Sequence, residues 1–222
     1  MKGDNKAVIV LAGMIGAGKS TYTKFISEAL GSEAFYESVD DNRILENFYE
    51  NPERWAFSLQ IYFLNTRFRS IKAAFKHENN VLDRSIYEDA LFTRINYEEG
   101  NMSDAEMETY LDLLDNMMEE LDSMPKKSPD LLIYLRGSLD TVLNRIEKRG
   151  RSFEQIEDNS GLLDYYTHLH SQYDSWFNAY DKSATLIIDI NQYDLEKLED
   201  AEKVLNMVTE KLEAVRNEHS IG

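Results

Sequence analysis

Gly13-Met14-Ile15-Gly16-Ala17-Gly18-Lys19-Ser20 fits the pattern G-x-x-x-x-G-K-[ST] in full. That spacing serves one kind of chemistry. Glycines let the backbone curl so that successive N–H groups point inward, and the helix that follows adds its positive N-terminal end. Lys19 is then expected at the β- and γ-phosphates of a nucleoside triphosphate, with the Ser20 hydroxyl on Mg²⁺. A phosphoryl group in transit also needs a carboxylate to take a hydroxyl proton and arginines to offset its charge. Glu37 and the run Asp83-Arg84-Ser85 offer carboxylates and an arginine. Arg145, Lys148, Arg149 and Arg151 form a basic stretch with an Arg-Gly-Arg end, suited to a mobile lid over phosphates as well as to an ordinary helix terminus.

Elements with the right periods surround these residues. Short apolar runs at Ala7 to Ala12, Asp130 to Leu135 and Ala184 to Ile190 read as strands covered on both faces, with weaker candidates at Glu33 to Glu37 and Asn80 to Asp83. Helical patterns occupy Lys19 to Leu30, Pro52 to His77, Ser103 to Leu121, Leu139 to Arg149, Leu162 to Tyr180 and Glu196 to Arg216. The alternation predicts an α/β fold, a parallel sheet of five strands with helices on both faces, in a single domain over residues 1–222. In such sheets ligands gather at the carboxyl ends of strands, where the loop after the first strand, Glu37 and Asp83 all fall.

Composition narrows the partners. The 222 residues carry 24 Lys and Arg against 41 Asp and Glu, a formal charge of −17, which would repel a nucleic-acid polymer and leaves room for a single phosphorylated ligand. Hydrophobic residues make up 42%, enough for a packed core. Cysteine is absent, which removes disulfides and thiolate metal sites and fits a reducing compartment. No secretory signal or bilayer-spanning stretch is visible, so a cytoplasmic protein is expected. Ten acids and no Lys or Arg lie between Glu98 and Asp122, yet Met107, Tyr110, Leu111, Leu114, Met117, Met118 and Leu121 recur at helical spacing. That pattern predicts an acidic helix with one apolar face, packed on the core or against a second subunit.

Four motifs together resemble a known family. Tyr49-Glu50-Asn51-Pro52-Glu53-Arg54-Trp55, continuing to Phe57, Gln60, Tyr62 and Arg67, is similar to a signature of the deoxyribonucleoside kinases related to deoxycytidine and deoxyguanosine kinase. Asp83-Arg84-Ser85-Ile86-Tyr87-Glu88-Asp89 resembles the second motif of that family, and Arg145 to Arg151 with Glu154 resembles its lid, about residues 145–155. With the phosphate loop, the resemblance runs from residue 13 to about 177, and it looks closest to bacterial deoxyadenosine/deoxyguanosine kinases.

The resemblance implies ATP-dependent, Mg²⁺-dependent phosphorylation of a deoxynucleoside 5′-hydroxyl by a homodimer, for which the acidic helix at 103–121 is one candidate surface. Glu37 would hold the 5′-hydroxyl and act as general base, Arg84 would bind that oxygen and the phosphoryl group, and Asp83 would sit beside Mg²⁺ or accept the proton instead. Tyr49 and Glu154 would bind the sugar 3′-hydroxyl, Val39 would touch the substrate, and Gln60, Arg67 and Asp89 would read the base. The adenine of ATP is expected near Asn191, Gln192 and Tyr193.

The residues support the base pocket on their own terms. Gln60 and Arg67 are seven apart, two helical turns, on one face. A Gln amide suits the N6/N7 edge of adenine, Asp accepts from an exocyclic amine, and Arg donates to ring acceptors or guanine O6. Thymine is disfavoured, and deoxyadenosine is expected first, then deoxyguanosine and deoxycytidine. Two departures from the family pattern stand out: Ser38 replaces a common proline after Glu37, and Asp83 replaces a common glutamate. The competing readings are a nucleoside monophosphate kinase, which needs extra cations for its acceptor's phosphate, and a nucleotide-holding scaffold without an acceptor site.

Overall fold

The computed structural model describes residues 7–37, 42, 44–75, 79–123, 128–157, 159 and 161–219. Val39, expected at the substrate, lies outside them, as do Lys126 and Lys127.

Five strands form one parallel sheet: β1 (Val8–Ala12), β2 (Glu33–Phe35), β3 (Asn80–Asp83), β4 (Leu131–Arg136) and β5 (Ala184–Asp189), in the order β2-β3-β1-β4-β5. The helices among the described residues are α1 (Lys19–Leu30), α2 (Leu45–Glu50), α3 (Pro52–Ala74), α4 (Ile86–Glu98), α5 (Asp104–Asp122), α6 (Leu139–Arg149), α7 (Gly161–Ala179) and α8 (Leu198–His219), with a 3-10 turn at Ser152–Glu154. Alternate residues of β1 serve opposite layers, as strand geometry requires. Val8 and Val10 pack with Leu64, Phe68 and Ile71 of α3 and with Tyr110 and Leu121 of α5. Ile9 and Leu11 join the larger core that includes Tyr22 and Ile26 of α1 and Val204, Val208 and Leu212 of α8. No helix among the described residues is long and apolar enough to cross a membrane.

The expected strands all form, with one informative difference. The second strand stops at Phe35, so Glu37 stands in the loop beyond the sheet rather than at a strand's last residue. The helix from Pro52 runs to Ala74, and its expected end at His77 lies outside the described residues. Sequence patterning also passed over α4. Its buried residues include Ile86, Leu91 and Ile95 together with Glu88, Asp89, Thr93 and Asn96, so no polar face marks it as a helix. The apolar stripe of α5 is divided: Tyr110 and Leu121 are buried, Leu114, Met117 and Met118 pack half-buried against the core beneath α3, and Leu111 is exposed.

Candidate active site

The phosphate loop follows β1, and α1 starts at Lys19 behind Gly18 in a left-handed turn. Gly16 also has positive φ, +81°, and a Cβ there would meet Ile146 Cγ1 at 2.7 Å and the Val142 carbonyl oxygen at 2.8 Å, so this bend is built for glycine alone. Lys19 is buried and its Nζ donates to the carbonyls of Gly13 at 2.7 Å and Met14 at 3.0 Å. Burial, aided by the nearby Arg84 charge, lowers its pKa to about 8. Ammonium donors resting on loop carbonyls can be transferred to phosphate oxygens at little cost.

The loop opens on a cavity of about 930 Å³. Lys19, Arg84, Arg145, Lys148, Arg149 and Arg151 all line it, so the six cations picked from the sequence do converge. Arg145 reaches back onto the loop, donating to the Ala17 carbonyl at 2.9 Å and to the Ile190 carbonyl at 3.2 Å. Arg149 and Arg151 instead pair with buried Glu154, the latter at 3.5 Å. The lid arginines and the expected sugar-binding carboxylate therefore meet.

Asp83 pairs with Leu11 across the β3–β1 ladder, which sets it beside the start of α1. Ser20 Oγ donates to Asp83 Oδ2 at 2.5 Å, while Oδ1 is buried without a hydrogen-bond partner. Burial raises the Asp83 pKa, against the pull of Lys19. A hydroxyl and a carboxylate in contact, with one oxygen lacking a partner, are the hard-oxygen donors that suit Mg²⁺.

Arg84 follows at φ +79°, the one non-glycine residue with positive φ among those described, and its N–H donates to the Leu11 carbonyl at 2.9 Å. Strain of this kind persists where surrounding contacts over-determine it, and it concentrates at working sites. The Arg84 guanidinium lies over the Phe92 ring at 4.6 Å and donates from Nε to Glu37 Oε1 at 3.0 Å. Burial alone would raise the Glu37 pKa. Arg84, Arg67 and Lys19 outweigh it and hold the carboxyl down at about 2.

Glu37, Tyr49, Gln60, Asp83, Arg84, Asp89 and Glu154 share the cavity wall. Tyr49 is fixed by rings, its centroid 5.4 Å from both Phe48 and Phe153. Gln60 Oε1 accepts from Thr93 Oγ1 at 3.3 Å. Arg67 is buried and does not line the cavity. Its Nε donates to Asp89 Oδ2 at 3.1 Å, Nη1 to the Asp83 carbonyl at 2.6 Å and Nη2 to Glu37 Oε1 at 2.8 Å. It supports the wall from behind, with carboxylates and a carbonyl occupying its fork. Burial pushes Asp89 up to about 6 despite Arg67.

On the far side, Asn191, Tyr193 and the following Asp194 to Lys197 line the cavity, whereas Gln192 is exposed and does not. Asn191 is engaged as a brace: its Oδ1 accepts from Thr141 Oγ1 at 2.7 Å. Two functional-looking residues were passed over, Glu88 and Tyr173, whose side chains meet the phosphate loop at Gly13. The signal for Glu88 is present, since Ser85-x-x-Glu88 is a helix-start pattern inside the Asp83 to Asp89 motif. Tyr173 carried none.

With this geometry in view, the likeness to characterised proteins is specific. The chain is 54% identical over 206 residues to the deoxyguanosine kinase of Lactobacillus johnsonii, covering 92% of each. It is 46% identical over 211 residues to the deoxyadenosine kinase of Lactobacillus acidophilus, covering 95% of this chain and 98% of that one. The solved deoxyadenosine kinase of M. mycoides with bound dATP superposes with a TM-score of 0.75 at 34% identity, over 91% of this chain and 99% of that one. The family model described as deoxynucleoside kinase matches residues 9–213, and the chain belongs to that family.

Proposed function

We propose that the protein transfers the γ-phosphoryl group of ATP to the 5′-hydroxyl of a purine deoxynucleoside, deoxyadenosine or deoxyguanosine, with deoxycytidine a poorer acceptor. One observation carries the reading of the acceptor. From Tyr36 to Phe92 the described cavity lining holds Glu37, Asp83 and Asp89 and, apart from Arg84, no Lys or Arg. An acceptor that already bore a phosphate would meet three carboxylates there, whereas a neutral nucleoside meets hydrogen-bond acceptors for its hydroxyl and amine.

Each residue then has a task. Lys19, Arg145, Lys148, Arg149 and Arg151 neutralise the triphosphate, and the N–H groups of the loop from Gly13 to Gly18 cradle it. Glu37, ionised at neutral pH, accepts the hydrogen bond of the 5′-hydroxyl and takes its proton as the phosphorus–oxygen bond forms. Arg84 steadies the charge on the group in transit. As the phosphoryl charge offsets that of Arg84, Glu37 loses part of the field that depresses it and becomes a stronger base. Ser20 and Asp83 would hold Mg²⁺, which supplies neutralisation of phosphate charge when bound. Tyr49 and Glu154 take the sugar, the Tyr49 ring leaving little space for a 2′-hydroxyl. Asp89 and Gln60 address the base, with Arg67 holding Asp89 in place. The acting species is proposed to be a cytoplasmic homodimer, and sedimentation at assay concentration checks the dimer.

The test is incubation with ATP, Mg²⁺ and, in separate reactions, deoxyadenosine, deoxyguanosine, deoxycytidine, thymidine or dAMP, with products resolved by chromatography. Monophosphates of the two purine nucleosides are expected. Phosphorylation of dAMP with no deoxynucleoside turned over would overturn the reading.

A further inference from the structure

Glu88 is completely buried, yet it does not line the cavity. One of its oxygens gathers three donors from three parts of the chain. Oε1 accepts from the Gly13 N–H at 3.0 Å, from Arg84 Nη1 at 2.9 Å and from the Tyr173 hydroxyl at 2.6 Å. The Tyr173 hydroxyl also lies 3.0 Å from the Gly13 carbonyl and 3.3 Å from Arg84 Nη1. Gly13 opens the phosphate loop, Arg84 belongs to the strained turn after β3, and Tyr173 belongs to α7, which follows the lid.

A comparison within the chain shows that this carboxylate has been diverted. Ser103-x-x-Glu106 and Ser85-x-x-Glu88 both begin helices with the same pattern. At Ser103 both halves of the capping box close, and Glu106 returns to the Ser103 N–H at 2.8 Å. At Ser85 only the serine half forms, accepting from the Glu88 N–H at 3.1 Å. The Glu88 side chain turns inward instead, and its Oε2 is buried with no hydrogen-bond partner. A helix start needs no buried charge, and a carboxylate oxygen left without a partner is unfavourable. Local rules are broken in this manner where function requires it.

We infer that Glu88 is a positioning residue that fixes the Arg84 guanidinium to the first peptide of the phosphate loop, so that the arginine on the acceptor side and the loop on the donor side move as one body. The inference rests on the phosphotransfer reading above. Glu37 holds Arg84 Nε and Glu88 holds Nη1, which orients the guanidinium along two edges and leaves Nη2 to a phosphoryl oxygen. Tyr173 adds α7 to the same joint. Without Glu88, Arg84 keeps its pairing to Glu37, and its side-chain tie to the loop is reduced to the longer path through the Tyr173 hydroxyl. The acceptor pocket is then intact, while the alignment needed in the transition state is lost.

Glu88→Gln and Tyr173→Phe test this. Losing a charge-assisted hydrogen bond costs roughly 10- to 100-fold, and losing one hydroxyl roughly 3- to 10-fold. The expected result is a fall of those sizes in kcat, with KM for the deoxynucleoside within about twofold of the parent, measured on protein verified as folded by circular dichroism. ATP affinity, titrated without acceptor, is expected to weaken about 3- to 10-fold in Glu88→Gln. The inference is overturned if kcat stays within about twofold in both variants, or if the deoxynucleoside KM rises as much as kcat falls. Should Glu88→Gln fail to fold, Tyr173→Phe decides by the same split. A parent that phosphorylates no deoxynucleoside sinks the functional reading, and the ATP titration then judges the positioning role by itself.

Discussion

Arg67 Nη2 donates to Glu37 Oε1 at 2.8 Å, from a position outside the cavity that Glu37 lines. The same guanidinium holds Asp89 through Nε at 3.1 Å. One arginine thus sets the carboxylate proposed to take the proton and the carboxylate proposed to read the base. Selection of the base and activation of the hydroxyl, as proposed, share one support behind the cavity wall.

Arg67→Met leaves two buried carboxylates without their common partner. Breaking a buried pair from one side destabilises by about 3–5 kcal/mol. Urea unfolding is expected to show a loss of that order. Arg67→Lys should recover only part of it, because an ammonium cannot match a fork that serves two carboxylates and a carbonyl. An Arg67→Met variant as stable as the parent would contradict this role.

Glu37→Gln keeps the size of the side chain and removes the proton acceptor. General-base catalysis contributes roughly 10²- to 10⁴-fold, so kcat should fall by at least about 100-fold. KM for ATP should hold, since Glu37 is assigned to the acceptor. Turnover equal to the parent's would remove Glu37 from the mechanism.

The pH profile follows from Asp89, whose pKa burial raises to about 6. An exocyclic amine needs the ionised carboxylate as its acceptor, so kcat/KM for the purine nucleoside should decline as pH drops through about 6. Asp89→Asn should abolish that limb and lower kcat/KM at neutral pH. Glu37, held at about 2, stays ionised across the range and adds no limb. The stability effect has its own sign. A folded pKa above the unfolded value favours the fold at low pH, and that contribution disappears as pH rises through about 6. A flat kcat/KM between pH 5 and pH 8, where about 6 falls, would exclude Asp89 as the reader.

Gly16→Ala places a Cβ 2.7 Å from Ile146 Cγ1 and 2.8 Å from the Val142 carbonyl, at a φ of +81°. Side chains adopt that conformation at a cost of roughly 1–3 kcal/mol before any clash is counted. A melting temperature lower by several degrees is expected, with weaker ATP binding by titration. An alanine variant with unchanged ATP affinity would show that the loop tolerates a different curl.

Much of this site was legible because its chemistry is local in sequence. The phosphate loop, Asp83-Arg84 and the arginines from Arg145 to Arg151 are contiguous, and the strand pattern was enough to bring their ends together. What stayed hidden depends on direction. Arg67 and Gln60 share a helix face by spacing, yet Gln60 lines the cavity and Arg67 lies behind it, because the carboxylates of Glu37 and Asp89 draw the guanidinium inward. Helix α4 gave no periodic signal because its buried set mixes Leu91 and Ile95 with Glu88, Asp89 and Asn96. Tyr173 stands 160 residues from Gly13 in the chain and 3.0 Å from it in space, a contact that no local pattern encodes.

The ladder between β1 and β3 works as a gauge for the reaction. Leu11 faces Asp83, and the phosphate loop begins at Gly13, just past the end of β1, so the donor and acceptor halves of the chemistry hang from neighbouring strands. Their separation is set by the interstrand spacing of about 4.8 Å and their phase by the pairing. Side chains alternate faces along a strand, so one inserted or deleted residue in β3 would turn Asp83 away from Ser20. The segment before Asp83 should therefore accept changes of residue type far more readily than changes of length.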